Sequence, residues 1–209
     1  MSERVLHPFV VRLTHWLNAV AVIVMIGSGW QIYNASPILP FTFPGAITIG
    51  GWLGGALLWH FAAMWLVMAN LAIYLAYGLA SGRLRRKLLP LSLGALVADL
   101  GAALHGRLGH HDLSRYNAVQ RAFYLGVIAA LVLVVLSGLA IWKPVQLQPL
   151  AVIFGGFAGA RLVHFLAMSA IVLFILVHVA MALLVPRSLR AMLRGLLDGP
   201  QDSSRKTRR

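Results

Sequence analysis

The chain has no cysteine, so it carries no disulfide, no thiolate-held metal and no iron–sulfur cluster ligated by its own residues. Charge is scarce too: 11% of the 209 residues are Asp, Glu, Lys or Arg, against 60% hydrophobic. A soluble domain of this size needs a larger polar fraction to cover its surface, so that class is excluded. Four stretches, 13–33, 56–77, 122–142 and 162–185, hold no charged residue at all. Each matches the roughly 20 apolar residues that a bilayer crossing requires, and the chain reads as an all-α membrane protein. The first stretch is longer than a signal-peptide core and no small-residue cleavage site follows it, so it is expected to stay as a span.

The charges that are present are one-sided, with five Asp and Glu against eighteen Lys and Arg and a formal charge of +13. Such a balance invites a nucleic-acid reading, but the positions of the charges argue for topology instead. Arg4 and Arg12 precede span one, and residues 34–55, between spans one and two, have no Lys or Arg. Arg83, Arg85, Arg86, Lys87, Arg107, Arg115 and Arg121 lie between spans two and three, and only Lys143 and Arg161 between three and four. Arg187, Arg190, Arg194, Arg205, Lys206, Arg208 and Arg209 follow span four. This alternation is the positive-inside pattern. It predicts a four-transmembrane-helix bundle with both termini and the connection between spans two and three cytoplasmic, in a bacterial inner membrane. The basic residues then serve orientation and contact with anionic lipid, and no nucleic-acid partner is expected.

Residues 1–198 read as one domain and 199–209 as a polar, basic, disordered tail. The Pro- and Gly-rich stretch 34–55 reads as an ordered but irregular periplasmic loop. Residues 88–104 are apolar but short, and are interrupted by Pro90, Gly94, Asp99 and Gly101. A fifth span there would invert every later loop against its charge, so an interfacial cytoplasmic helix is expected. Residues 146–160 read as a periplasmic surface segment. No solenoid-type repeat is visible.

Four of the eight histidines, His15, His60, His164 and His178, fall inside the predicted spans. An ionisable group at membrane depth is costly, so each marks a functional hypothesis; a single one is equally explained by a hydrogen bond between helices. Their depths are coordinated, however. His164 and His178 are 14 residues apart on span four, on nearly one face and about 21 Å apart along the axis. Span one starts at the cytoplasmic side with His15, and span two starts at the periplasmic side with His60. The pairs that can meet are therefore His15 with His178 and His60 with His164. Two stacked His–His pairs suit two six-coordinate haems, whose filled axial positions favour electron transfer. A zinc or copper site requires three or four convergent ligands, and intramembrane proton relays use Asp or Glu partners that these spans lack.

Arg12 and Arg161 precede His15 and His164 by three residues, sharing a helix face with them at opposite membrane surfaces. There they suit charge-assisted bonds to haem propionates, although interfacial anchoring explains Arg12 as well. Gly27, Gly29 and Gly138 are candidates for close approach of a flat macrocycle, or equally for small-residue helix packing. Trp16, Trp30, Trp59, Trp65 and Trp142 lie mostly near span ends, where an interfacial belt accounts for them.

The motifs RLTHW (12–16), SGWQIYNASP (28–37), His60, RYNAVQR (115–121), SGLAIWKPVQ (137–146) and RLVHF (161–165) followed by His178 occur in an order that resembles the bacterial cytochrome b561 family in its broad sense. That group includes the membrane cytochrome b subunits of nickel–iron hydrogenase, formate dehydrogenase and thiosulfate reductase, and the resemblance covers the chain to about Arg194. It implies two haem b groups on the same histidine pairs. It also implies a quinone site beside the cytoplasmic haem, for which Asn117 and Gln120 occupy the matching positions; helix capping explains them equally well. The WKPVQ stretch looks most like versions associated with a periplasmic molybdopterin oxidoreductase. The implied function is transmembrane electron transfer between the quinone pool and such a periplasmic oxidoreductase subunit, the chemistry belonging to haem and quinone. On its own the chain lacks a large soluble module, so this reading makes it an electron-transfer subunit rather than a complete enzyme.

Two other classes stay open. A free-standing superoxide:quinone oxidoreductase of the same fold needs a basic periplasmic funnel, for which only Lys143 and Arg161 are available. A membrane di-iron hydroxylase or desaturase is suggested by the HxxxxHH cluster of His105, His110 and His111, but such sites need several boxes and one is present. A transporter is disfavoured by uncharged spans without a broken central helix. Because the chain has no cysteine, its topology is directly testable with single thiols. A Thr42→Cys variant is expected to react with a membrane-impermeant maleimide in intact spheroplasts, and a Ser203→Cys variant only after lysis; the opposite pattern contradicts the charge reading.

Overall fold

In a computed structural model, residues 8–82, 85–86, 92–104, 118–184 and 186–194 are described. Helices dominate them and no strand occurs among them. Helix α1 covers Phe9–Ala35, α2 Leu53–Ala80, α3 Leu93–Leu104, α4 Ala118–Trp142, α5 Gln148–Ile153, α6 Gly156–Leu184 and α7 Pro186–Arg194. Four of these, α1, α2, α4 and α6, are long and apolar enough to cross a membrane. In hydrocarbon every backbone N–H and C=O must be satisfied within the segment, which leaves an apolar run no better option than a helix. The 25 to 29 residues of these helices correspond to about 38–44 Å. That exceeds a hydrocarbon core of about 30 Å, so their ends reach the headgroup region.

Chain chemistry sets the ends of the helices. Ser36 precedes Pro37, which disfavours helical geometry for it, and α1 stops there with Ser36 outside the helical region (φ −154°, ψ 79°). Pro144 follows α4 closely in the same way. Gly50 and Gly51 take φ of +108° and +71°, letting the loop turn into α2 where residues with a Cβ would be strained. The segment 88–104 contains α3, whose 12 residues are too few to span. The Asp99 carboxylate accepts the Ala118 N–H at 2.7 Å, capping the start of α4 with a charge that complements the helix dipole. Residues 88–91, the cluster His105, His110 and His111, Asn117 and the tail 199–209 lie outside the described residues.

The most extensive helix–helix packing is within the pairs α1–α2 and α4–α6. The antiparallel register of the first pair is visible in two contacts: Asn70 Nδ2 donates to the Thr14 carbonyl at 2.6 Å, and Ser28 meets His60. Side chains from all four long helices meet at mid-height, where buried Ala21, Val22, Val67 and Ile171 pack with Met25, Ile26, Leu131 and Val134. The opposite faces are apolar and outward: Val20, Ile23, Leu58, Ile73, Leu166, Leu173 and Leu176 are all exposed. A water-soluble protein does not sustain so large an apolar surface; lipid covers it without cost.

The end of the bundle carrying loop 36–52 and α5 is charge-poor, and it is the end that the positive-inside reading of the sequence assigns to the periplasm. Its loop is well held. The Asn34 side chain donates to the Phe43 carbonyl and accepts the Phe43 N–H, both at 2.8 Å. Tyr33 stacks on Phe165 of α6 and packs against Phe41 and Phe43. Ile49 N–H donates to the Gly27 carbonyl at 3.0 Å, bringing the loop down onto α1. Replacing Gly50 by Ala would drive a Cβ into the Ala56 backbone nitrogen at a positive φ, a strain of order 1–3 kcal/mol. Gly50→Ala is therefore expected to lower the melting temperature in detergent clearly more than Gly45→Ala, whose Cβ meets nothing; equal stability of the two contradicts this account of the loop.

Candidate haem-binding sites

Near the periplasmic end, His60 of α2 and His164 of α6 face one another with ring centres 6.3 Å apart and planes inclined at 60°. Each ring is held from behind by a neighbouring helix. Ser28 Oγ of α1 lies 3.1 Å from His60 Nδ1, and Ser137 Oγ of α4 lies 3.2 Å from His164 Nδ1. Both serines are fully buried. The residue after each serine is glycine, with the ring edge beside it: a Cβ on Gly138 would stand 3.1 Å from His164 Cε1, tighter than normal packing, and one on Gly29 3.5 Å from His60 Cε1, an ordinary contact. Gly27, grouped with these by sequence, does something else. Its missing side chain makes room for Ile49 of the periplasmic loop, which a Cβ would meet at 2.8 Å.

At the cytoplasmic end, His15 of α1 and His178 of α6 face one another with ring centres 6.0 Å apart, inclined at 63°. Their surroundings are aromatic. Phe174 stacks on His178 at 5.6 Å and Trp16 meets His15 edge-on at 5.2 Å. Thr14, beside His15, is buried and tied to Asn70, so α2 fixes the stretch of α1 that carries the histidine.

The spacing of both pairs can be compared with what one shared metal ion requires. With a metal–nitrogen bond of about 2.0 Å and about 1.1 Å from ring nitrogen to ring centre, two imidazoles on opposite sides of an ion have centres about 6.2 Å apart. Both pairs match it. Among the described residues no three His, Asp or Glu side chains converge, so the arrangement is two pairs and not one polydentate site. Imidazoles paired in this way between apolar helices are donors that would suit a haem iron, which would supply one-electron exchange when bound.

The two arginines are engaged by backbone carbonyls. Arg12 Nε donates to Met192 at 3.3 Å and its Nη2 to Leu193, which returns the end of α7 to the start of α1 and satisfies helix-terminal carbonyls. Arg161 donates through Nη2 to the Ser36 carbonyl. Both keep further N–H donors of the guanidinium. Lys143 stands over the Trp142 ring at 4.8 Å. Gln120 is exposed in the first turn of α4. Reading the sequence alone missed Ser28, Ser137 and Asn70; the recurring Ser-Gly dipeptide in spans one and three was the signal for the first two.

With this geometry in view, comparison with known proteins is decisive. The family model described as prokaryotic cytochrome b561 matches residues 6–195. The chain belongs to this family. A relative provisionally named a protein-methionine-sulfoxide reductase subunit, YedZ1, from Azospira oryzae is 58% identical over 197 residues, covering 93% of this chain and 100% of that protein. The cytochrome b556(fdo) subunit of formate dehydrogenase from Escherichia coli K12 is 33% identical over 84 residues, 40% of this chain and 39% of that subunit. This cytochrome b561-family chain is thus a membrane electron-transfer subunit, and membership implies haem b as its cofactor. Its ring contacts predict a specific sensitivity. Gly138→Leu, which pushes a side chain into His164, is expected to reduce haem retention severalfold, whereas Gly126→Leu on the same helix, where a Cβ meets nothing, leaves it unchanged. Equal retention in both variants, read from the Soret-to-protein absorbance ratio, contradicts the assignment of this pocket.

Proposed function

We propose that the cytochrome holds two haem b groups, one between His15 and His178 and one between His60 and His164, and carries electrons across the bacterial inner membrane between the quinone pool and a periplasmic oxidoreductase subunit. The observation that carries this reading is the presence of two imidazole pairs, each at the spacing of a shared iron, at opposite ends of one bundle. When bound, haem b supplies one-electron exchange without an open coordination position. The chain's own residues do the rest. The four histidines ligate. Met25, Ile26, Val67, Val134 and Ile171 fill the interval between the sites and exclude water from it. Arg12 and Arg161 use their remaining donors on propionates at the two surfaces, and Asn117 and Gln120 bind the quinone head group near the start of α4.

The partner reading is supported by the names of both relatives, each a subunit of an oxidoreductase, and by the WKPVQ stretch, which suits a molybdopterin enzyme. Direct oxidation of superoxide is less well supported. The two periplasmic cations available to draw in an anion are Lys143, over Trp142, and Arg161, bonded to Ser36. Dithionite-reduced minus oxidised spectra with a pyridine haemochrome assay on the purified chain test the reading. Two haem b per chain are expected, with His15→Ala and His178→Ala losing one and the same haem, and His60→Ala and His164→Ala losing the other. A short-chain quinol should reduce the wild type, and Gln120→Leu should slow that reduction about tenfold, the effect of about 1.4 kcal/mol. One haem, none, or losses that do not pair contradict the proposal.

A further inference from the structure

The bundle delivers the same two-residue device twice, from different helices. In α1, Ser28 Oγ lies 2.6 Å from the Val24 carbonyl and 3.1 Å from His60 Nδ1. In α4, Ser137 Oγ lies 2.7 Å from the Leu133 carbonyl and 3.2 Å from His164 Nδ1. A serine hydroxyl has one proton to donate. Given to the carbonyl four residues back, a bond serine makes readily within helices, that proton is unavailable to the histidine. The oxygen then faces the ring with its lone pairs, and the ring nitrogen opposite it must be the N–H. With that assignment, which the Met25 and Val134 carbonyls beside the rings also favour, both rings carry the proton on Nδ1 and the Nε2 lone pair on the far side from the serine. Gly138 adds to the device by admitting the Cε1 edge of His164, where a Cβ would stand 3.1 Å away, while Gly29 lies in ordinary contact with the His60 edge.

The cytoplasmic pair is built differently. Among the described residues neither His15 nor His178 has a hydrogen-bond partner; their contacts are with one another and with the Trp16 and Phe174 rings. Resting on the two-haem reading above, we infer that Ser28 and Ser137 are positioning residues that fix His60 and His164 as Nδ1-protonated ligands, and that they lower the reduction potential of the periplasmic site alone. An acceptor on Nδ1–H makes the imidazole a stronger donor through Nε2, which favours the ferric state. It also restrains the ring planes, because each ring is tied at Nδ1 to a hydroxyl fixed in a neighbouring helix. The repetition matters. A lone serine back-bonded in a helix is ordinary, whereas two buried serines, each followed by a glycine and each against the opposed member of one histidine pair, form a matched support for one site.

The test uses the intact haem-loaded chain with Ser28→Ala, Ser137→Ala and the double variant, followed by potentiometric titration and low-temperature EPR. The expected result is that the haem lost in His60→Ala shifts its midpoint potential upward in each single variant and further in the double. Its largest g-value should move as the rings are released, while the haem lost in His15→Ala keeps both properties. Ser→Cys at the same positions retains a similar side-chain volume with a weaker acceptor and should give an intermediate shift; it also carries the comparison if the alanine variants do not retain haem. Two haems with an unmoved potential and g-value in the double variant overturn the inference and leave the proposed function standing. A wild-type chain without two haems overturns the proposed function and this inference with it.

Discussion

Everything in this bundle depends on the cost of imidazole in hydrocarbon. A polar ring with no partner inside a bilayer is unfavourable by several kcal/mol, so four histidines within uncharged spans need hydrogen-bond partners, such as Ser28 and Ser137 supply to one pair, or a ligand. The fold answers by bringing them together in two pairs with ring centres 6.0 and 6.3 Å apart. The helix arrangement follows from that demand. α6 carries one histidine near each end, and α1 and α2, antiparallel to one another, each contribute the partner for one level. Among the described residues α4 carries no histidine of either pair; it meets His164 through Ser137 and Gly138.

The two ends of the bundle are built on unlike principles. The periplasmic histidines are held by hydroxyls and glycines in the bundle interior, beneath a loop clamped by Asn34, Tyr33 and the Ile49 contact with Gly27. The cytoplasmic histidines lie among aromatic rings, near the Thr14–Asn70 bond and the Arg12 contact with α7. On the proposed two-haem reading, such a difference in ligand surroundings would separate the two groups in potential.

Much of this was legible in the sequence, and the reasons are physical. Long uncharged runs have no alternative to helices in a bilayer, and the bias of Lys and Arg orients them, so four spans and their order could be read directly. The pairing of His15 with His178 and His60 with His164 needed only helix rise and span direction. Features that rest on side-chain direction were less accessible. Ser28 and Ser137 look like ordinary helix-interior serines until the neighbouring ring is seen, and Gly27 differs from Gly29 only because it faces the loop rather than His60. The bond from Arg12 to α7 requires knowing that the chain returns across the cytoplasmic end after α6, which no local pattern states. Residues 34–55 could be read as ordered, but the Asn34–Phe43 clamp that orders them is a contact across nine positions with no periodic signature.

The measurement that tests the central claim most directly is an anomalous-scattering map at the iron edge from crystals of the purified, haem-loaded chain. Two iron peaks per chain are predicted, one between His15 and His178 and one between His60 and His164, about 21 Å apart as the helical rise between His164 and His178 requires. A single peak, none, or iron bound instead near His105, His110 and His111 would contradict it.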